Sequence, residues 1–458
     1  RIKANKSMGE PLKPTVPIDD EFDNNEEDDN DEFVDLDDVV EVEVDEENVP
    51  MDDDDDEIED NEETEFAENE NIVEMAKIIL STHSDHVYAV ASHFETSTQT
   101  LHILTGSGDD KAYLHHINDT TTSVLLSHEF KDTVSSVALN MEYVSDNIIN
   151  TPVYAAVGAF DGSIVIFDPY NGTKLYELEG PTDVEFLSFH PKGGSVLLAG
   201  SGEDCTVWMY HVPTQRCLQV FCGHESAVTA GGFTPDGKWA LSASSDGTLR
   251  VWAPRTGMNK HVFRVTDAGL TCMATGGGPE GKLVLVGSED GSAHICHVGT
   301  KRIISTVRHV EPPMATSNDD EEVELPLSVE TVAFAPNAVN PNWFATGGVD
   351  GILKIWDMTN GHCRQTCRYE ESKGGGITRL CWHPTQPLVY TASSDGVVRI
   401  WDARNGNLVS ALTGHSDMIN DLSIQFINDN KSLVVSGSDD NSVRVFDVDL
   451  ASVFQNMP

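Results

Sequence analysis

Gly223-His224-Glu225-Ser226-Ala227-Val228-Thr229 is followed by Phe233-Thr234-Pro235-Asp236-Gly237 and then by Leu241-Ser242-Ala243-Ser244-Ser245-Asp246-Gly247-Thr248-Leu249-Arg250-Val251-Trp252. These segments alternate apolar with polar residues at period two and are separated by Pro-Asp-Gly and Asp-Gly. They read as short antiparallel strands joined by tight turns. A second copy runs Cys381-Trp382-His383-Pro384, then Tyr390-Thr391-Ala392-Ser393-Ser394-Asp395-Gly396 through Trp401-Asp402.

Aligning the turn aspartate finds six further copies, at Asp110, Asp161, Asp204, Asp290, Asp350 and Asp440. Six residues after each of the eight aspartates stand His116, Phe167, Tyr210, Trp252, Cys296, Trp356, Trp401 and Phe446, so seven of eight carry a ring at one offset. The intervals are mostly 42 to 45 residues, with 51 before Asp161 and 60 before Asp350. A period of ~40–45 with four strands per unit is that of the WD-repeat propeller. The expected fold is therefore all-β, an eight-bladed WD-repeat β-propeller over residues 72–458, preceded by a disordered acidic tail over 1–71. Residues 311–326 read as an acidic insertion between blades, and 142–151 as a loop within the second.

A His before the first strand, a strand hydroxyl, the turn Asp and the Trp can form one hydrogen-bond chain that ties a blade together. Blade four has His224, a hydroxyl from Ser242 or Ser244, Asp246 and Trp252. The other blades read as partial sets. Asp350 with Trp356, Asp395 with Trp401, and His415 with Asp440 take the same structural role, although Phe446 in blade eight cannot donate. Little chain follows Phe446 to complete the last sheet. Residues 74–80 occupy the slot that Leu408 to Leu412 fills before His415, so they are predicted to supply the outer strand of the last blade. Leu450 to Gln455 is the competing segment.

The 458 residues carry 77 Asp and Glu against 28 Lys and Arg, a formal net charge of −49. Residues 1–74 hold 33 of those acids against Arg1, Lys3, Lys6 and Lys13, which leaves 44 acids and 24 bases beyond them. Like charge repels phosphate backbones and anionic membranes, so the favoured partners are basic proteins. From Asp19 to Glu70 the carboxylates repel one another and there is too little apolar surface to offset ordering. Within that stretch, Phe33 to Val40 and Val42-Glu43-Val44 alternate apolar with acidic. They read either as isolated hydrophobes or as a short strand or anchor for a basic partner.

Cysteines at 205, 217, 222, 272, 296, 363, 367 and 381 form no C-x-x-C and read as buried, reduced thiols. No apolar run approaches the ~20 residues of a membrane span, and Arg1 to Glu10 lacks the apolar core of a signal peptide. A cytoplasmic location is expected, with the nucleus as a further one. His83, His86, His93, His102, His115 and His116 scatter over different strands and loops without ligand spacing, so no metal is expected. Gly276 to Gly278 and Gly374 to Gly376 lack the Lys-Ser/Thr of a P-loop, and no G-x-S-x-G is present. The expectation is a monomeric binding protein, with neither enzymatic activity nor cofactor.

Beyond the generic repeat, residues 184–213 include Leu197-Leu198-Ala199-Gly200, Trp208-Met209 and Val212-Pro213. This stretch resembles the third repeat of the angio-associated migratory cell protein family. Gly108-Asp109-Asp110-Lys111-Ala112-Tyr113 and Tyr390 to Leu408 resemble its first and seventh repeats, and the acidic region ahead of eight repeats is shared. The resemblance covers most of 72–448. It implies, through fungal relatives, a dedicated chaperone for a newly made basic protein of the large ribosomal subunit. Through animal relatives it implies a role in cell migration and signalling. His116 and Cys296 depart from the family's aromatic in blades one and five.

Propeller partners usually sit on the face formed by the loops before the first strand and between the second and third. Acids expected there are Asp85, Asp132, Asp183, Glu225 and Asp417 in the first set, and Asp109, Glu203, Glu289 and Asp439 in the second. Together they predict a negative funnel for a basic segment. The alternative reading is a general scaffold in signalling, cell migration or ubiquitin-ligase complexes. A histone-binding propeller fits the charge but usually brings an N-terminal helix, for which the tail is too acidic.

Overall fold

The computed structural model describes residues 73–118, 121–140, 153–192, 194–310, 328–369 and 375–451. The calls on residues 1–71, on the loop at 142–151 and on the insertion at 311–326 lie outside the described residues. Eight four-stranded antiparallel sheets follow one another along the chain. Blade four shows the plan: Val228–Phe233, Ala240–Ser244, Thr248–Trp252 and Asn259–Arg264, in that order across the sheet. The first strand of each blade packs against the first strands of its neighbours, and Ile419–Asn428 of the eighth packs against Val87–Glu95 of the first. The ring is closed. At the seam the Val90 N–H donates to Asp421 Oδ2 (2.8 Å) and the Ser92 N–H to Ser423 Oγ (3.0 Å).

The pattern of burial follows from this stacking. A middle strand such as Ala240–Ser244 is buried at every position because neighbouring blades cover both its faces. The outer strand Asn259–Arg264 is buried only at Phe263. There is accordingly no single core, only apolar seams between blades. Leu198, Val207, Met209 and Phe221 of blade three meet Val228, Phe233, Ala240 and Trp252 of blade four. The same uncovered outer positions correct the cysteine reading. All eight thiols are free, but Cys217, Cys222 and Cys363, on or beside outer strands, are exposed.

The last sheet takes its fourth strand from the start of the described chain. Ile78–Leu80 pairs antiparallel with Val443–Asp449, with Ile79 opposite Arg444. Around this clasp Arg444 Nε meets Glu74 Oε2 (3.1 Å) and Lys77 Nζ meets Asp447 Oδ2 (2.9 Å). Leu450 and Ala451, the described part of the competing segment, lie outside the sheet, and Leu450 is buried against its neighbours.

In blade four Trp252 Nε1 donates to Ser242 Oγ (2.8 Å), Ser242 contacts His224 Nε2 (2.7 Å), and His224 Nδ1 contacts Asp246 Oδ2 (2.9 Å). One assignment satisfies every member. The Ser242 hydroxyl donates to a neutral His224, whose Nδ1–H donates to the carboxylate. Burial lowers the His224 pKa, which favours that neutral form. Burial alone would raise the Asp246 pKa, but bonds from Thr248, the Glu225 N–H and His224 outweigh it and push it down to about 2. Ser242→Ala removes the shared hydroxyl and leaves two buried donors or acceptors unpaired. A loss of about 2–4 kcal/mol is expected in chemical denaturation, against little change for an exposed serine such as Ser84.

Two readings of the repeat need correction. Blade six carries the complete set, because His309 contacts Thr346 Oγ1 (2.6 Å) and Asp350 Oδ1 (3.3 Å) while Trp356 Nε1 donates to Thr346 (2.8 Å). In blade one the turn aspartate is Asp109 rather than Asp110. It accepts from the Ser84 N–H (3.0 Å) and contacts His83 Nδ1 (3.0 Å), and His83 Nε2 contacts Thr105 Oγ1 (2.8 Å). Asp110 has φ +62°, the left-handed turn position that Gly247 fills in blade four at +74°. The ring position thus shifts from His116 to His115.

Candidate partner-binding face

Antiparallel order places the loop before each first strand and the loop between its second and third strands at one end of the ring. Their hydrogen bonds show them side by side, as where the Ser107 hydroxyl donates to Asp85 O (3.0 Å) and that of Ser244 to Ser226 O (2.9 Å). Of the nine acids expected here, Asp85, Asp132, Glu203, Glu225, Glu289 and Asp417 are exposed. Asp439 is half-covered, accepting from Asn420 Nδ2 (2.6 Å) beside His86 Nδ1 (3.2 Å). Asp109 and Asp183 are corrections. Asp109 is committed to His83, and Asp183 is buried, accepting from the Ser201 hydroxyl and from the N–H groups of Gly202 (3.0 Å) and Glu203 (3.1 Å). Both stabilise blades, and neither carboxylate is presented to a partner.

In seven blades the first strand begins with a buried aliphatic residue, in blade three buried Val184 stands two residues ahead of Phe186–Phe189, and the next side chain has a recurring job. Thr229 Oγ1 donates to Leu270 O of the next blade (2.7 Å), Thr378 Oγ1 to Ile419 O (2.6 Å), and Asn420 Nδ2 to Val87 O (3.1 Å). The hydroxyls of Ser135 and Thr271 do the same to Val184 O and Val329 O. In seven blades the strand register shifts at this residue, a bulge that turns the side chain toward its neighbour. Three blades hold residues that make no such bond: Tyr88, Glu185 and Glu330. Sequence reasoning missed them. They stand out only when Val87-Tyr88, Val134-Ser135, Val184-Glu185, Val228-Thr229, Leu270-Thr271, Val329-Glu330, Ile377-Thr378 and Ile419-Asn420 are aligned at the strand start.

Of these two carboxylates Glu185 is exposed and Glu330 half-buried, and Asp267 in the loop before blade five is exposed as well. Partial desolvation, with the neighbouring charge of Asp183 second, raises the pKa of Glu185. A bound cation would offset both effects. Tyr88 and Phe160, the latter at the second turn of blade two, are about two-fifths exposed on the same rim (39% and 41%). They offer apolar anchorage beside the charge. Among the described residues of the mouth, Lys131 is exposed and Arg379 is paired with Asp421 (3.1 Å).

The histidines of blade one divide by place. His86 belongs to the mouth and His83 to the blade network. His102 lies against His116 with ring centroids 3.9 Å apart, and neither ring nitrogen of His102 has a hydrogen-bond partner. Burial, then the charge of His116, pushes the His102 pKa down to about 4, and burial, then His83, does the same for His115. Below their ordinary value of 6.5 the unfolded chain takes up protons that the folded one refuses. Stability should therefore fall as pH drops from 6.5 toward 4, by about 3–6 kcal/mol in all. Denaturant midpoints at pH 7 and 5 check this, and His102→Leu with His115→Phe should flatten the difference.

Comparison with known proteins agrees with this architecture. A model for the WD domain, G-beta repeat, matches residues 215–253, and one for the Nucleolar protein 10-like, N-terminal domain, matches 237–452. Crystal structures of Sqt1 from Saccharomyces cerevisiae (TM-score 0.68, 18% identity, 82% of this chain and 100% of that one) share the fold. So does Chaetomium thermophilum Sqt1 bound to the N-terminus of the ribosomal protein L10 (TM-score 0.66, 19% identity, 82% and 100%). The angio-associated migratory cell protein of Homo sapiens is 30% identical over 321 residues, which cover 69% of this chain and 68% of that protein. An identity of that extent runs across most of the eight blades rather than one repeat, and the chain belongs to the angio-associated migratory cell protein family.

Proposed function

We propose that this protein is a dedicated chaperone for a newly made, basic protein of the large ribosomal subunit, and that it acts in the cytoplasm by binding rather than by catalysis. The observation that carries this reading is the mouth of the ring. Glu185 and Glu330 give up the inter-blade bond made at the same position elsewhere and join the exposed carboxylates of the surrounding loops. A cationic segment with no rRNA yet to neutralise it is drawn to such a surface and shielded there from stray RNA. The solved relative that carries the N-terminus of a ribosomal protein supports the same class of client.

The test is affinity purification of the protein from cells during active synthesis, at moderate and at high salt. The expected result is one dominant basic ribosomal protein, held at moderate salt, reduced at high salt and lost when Glu185 and Glu330 are changed to lysine. Enrichment of signalling or ubiquitin-ligase components, with no basic bias and no response to these substitutions, would replace the chaperone by a scaffold.

A further inference from the structure

The charge of the propeller is not uniform around its circumference. Blades four and five end in the turn and outer-strand segments 253–264 and 298–308, which contain Arg255, Lys260, Arg264, Lys301, Arg302 and Arg308 and not one Asp or Glu. All six cations are exposed, and none is ion-paired among the described residues. In a chain of net charge −49 this is a concentrated basic band. The two segments also lie close enough to interact. The pKa of His261 on blade four is lowered first by burial and then by the charge of Lys301 on blade five.

The band coincides with two further features. Asn259–Arg264 and Arg302–Arg308 are the outermost strands of their sheets, so each presents one edge of backbone N–H and C=O groups with no neighbouring strand. Apolar side chains are exposed there too: Ile303, Ile304 (51%) and, in the preceding turn, Met258 (59%). Free edge, apolar side chains and unpaired cations together define a recognition surface for an extended strand.

We propose that the outer edge of blades four and five binds an extended acidic segment of a partner protein, one in which apolar and carboxylate residues alternate, by adding it as a further strand. Such a segment satisfies all three features at once. Its backbone pairs with Arg302–Arg308, its apolar side chains cover Ile303 and Ile304, and its carboxylates meet the arginines and lysines. A nucleic-acid backbone would use the cations but leave the apolar residues and the strand edge uncovered. The site is separate from the acidic mouth and does not depend on what the mouth binds.

The probe is a fluorescein-labelled peptide of alternating valine and glutamate, titrated into the full chain by fluorescence anisotropy at low salt. Saturable binding is expected. It should weaken about tenfold or more in Lys260→Glu with Arg302→Glu, and several-fold in Ile303→Ser with Ile304→Ser. Amide exchange should slow in 302–308 on binding, a readout that also shows the variants remain folded. Glu185→Lys with Glu330→Lys, which disables the mouth, should leave this titration unchanged and so separates the two readings. Absence of binding, binding indifferent to both belt variants, or tighter binding of an oligouridylate of equal length would overturn the proposal, the last in favour of a phosphate site.

Discussion

Changing Glu185 and Glu330 to lysine should weaken capture of a basic ribosomal-protein segment by roughly 30- to 160-fold while leaving the thermal midpoint nearly unchanged. Each substitution converts an attraction into a repulsion at a partly desolvated position. A change of about 1–1.5 kcal/mol per site is reasonable at the effective dielectric of a protein surface. Neither residue bonds the next blade, so the ring loses nothing when they change. Thr229 and Thr378 provide the control. Thr229→Val removes a bond to Leu270 O and should lower stability without altering affinity. Titration calorimetry with a synthetic basic peptide, repeated at several salt concentrations, gives the measurement. The wild-type affinity should fall steeply with salt and the variant's should not. Equal affinity in variant and wild type would remove the mouth from the binding mechanism.

Deleting residues 73–80 from the full chain is the second change with a large expected effect. The deletion removes the outer strand of the last blade, with its pairing from Ile78 opposite Val445 to Leu80 opposite Val443. It also removes the Glu74 and Lys77 ion pairs and uncovers Val443 and Val445, which Leu80 covers. Burial of Leu80 alone is worth about 2–3 kcal/mol, and the ladder bonds add to it. A total loss of about 3–5 kcal/mol is expected, seen as a lower denaturant midpoint. The freed edge of Val443–Asp449 is then available to another copy, so light scattering should report self-association that the intact protein does not show. An unchanged midpoint would mean that the clasp is incidental to closure.

Much of this was legible beforehand for a local reason. Strand alternation, Asp-Gly turns and the ring six residues later are properties of short segments, and eight copies at a steady interval leave one architecture. The clasp was legible by the same logic, since residues 74–80 stand in the slot of an outer strand, but only Ile78–Leu80 pairs there. The blade-one frame was not. Asp109 and Asp110 both fit the pattern, and only the backbone tells them apart, because the residue after the aspartate must adopt a left-handed conformation that aspartate tolerates. His309 escaped because it stands 41 residues before its own Asp350, against 22 between His224 and Asp246.

The candidate site divides along the same line. The sequence by itself determined that the ring has eight blades and that its loops are rich in carboxylates, because charge and period are sums over residues; the cationic partner we propose rests on that sum. Tertiary structure alone decided which carboxylates are presented. Asp183 turns inward because Ser201 and two backbone N–H groups in its blade need an acceptor. Glu185 and Glu330 make no bond to the next blade, because a carboxylate cannot donate to its carbonyl. That carbonyl lies across a blade boundary about forty residues away, beyond the reach of any local pattern.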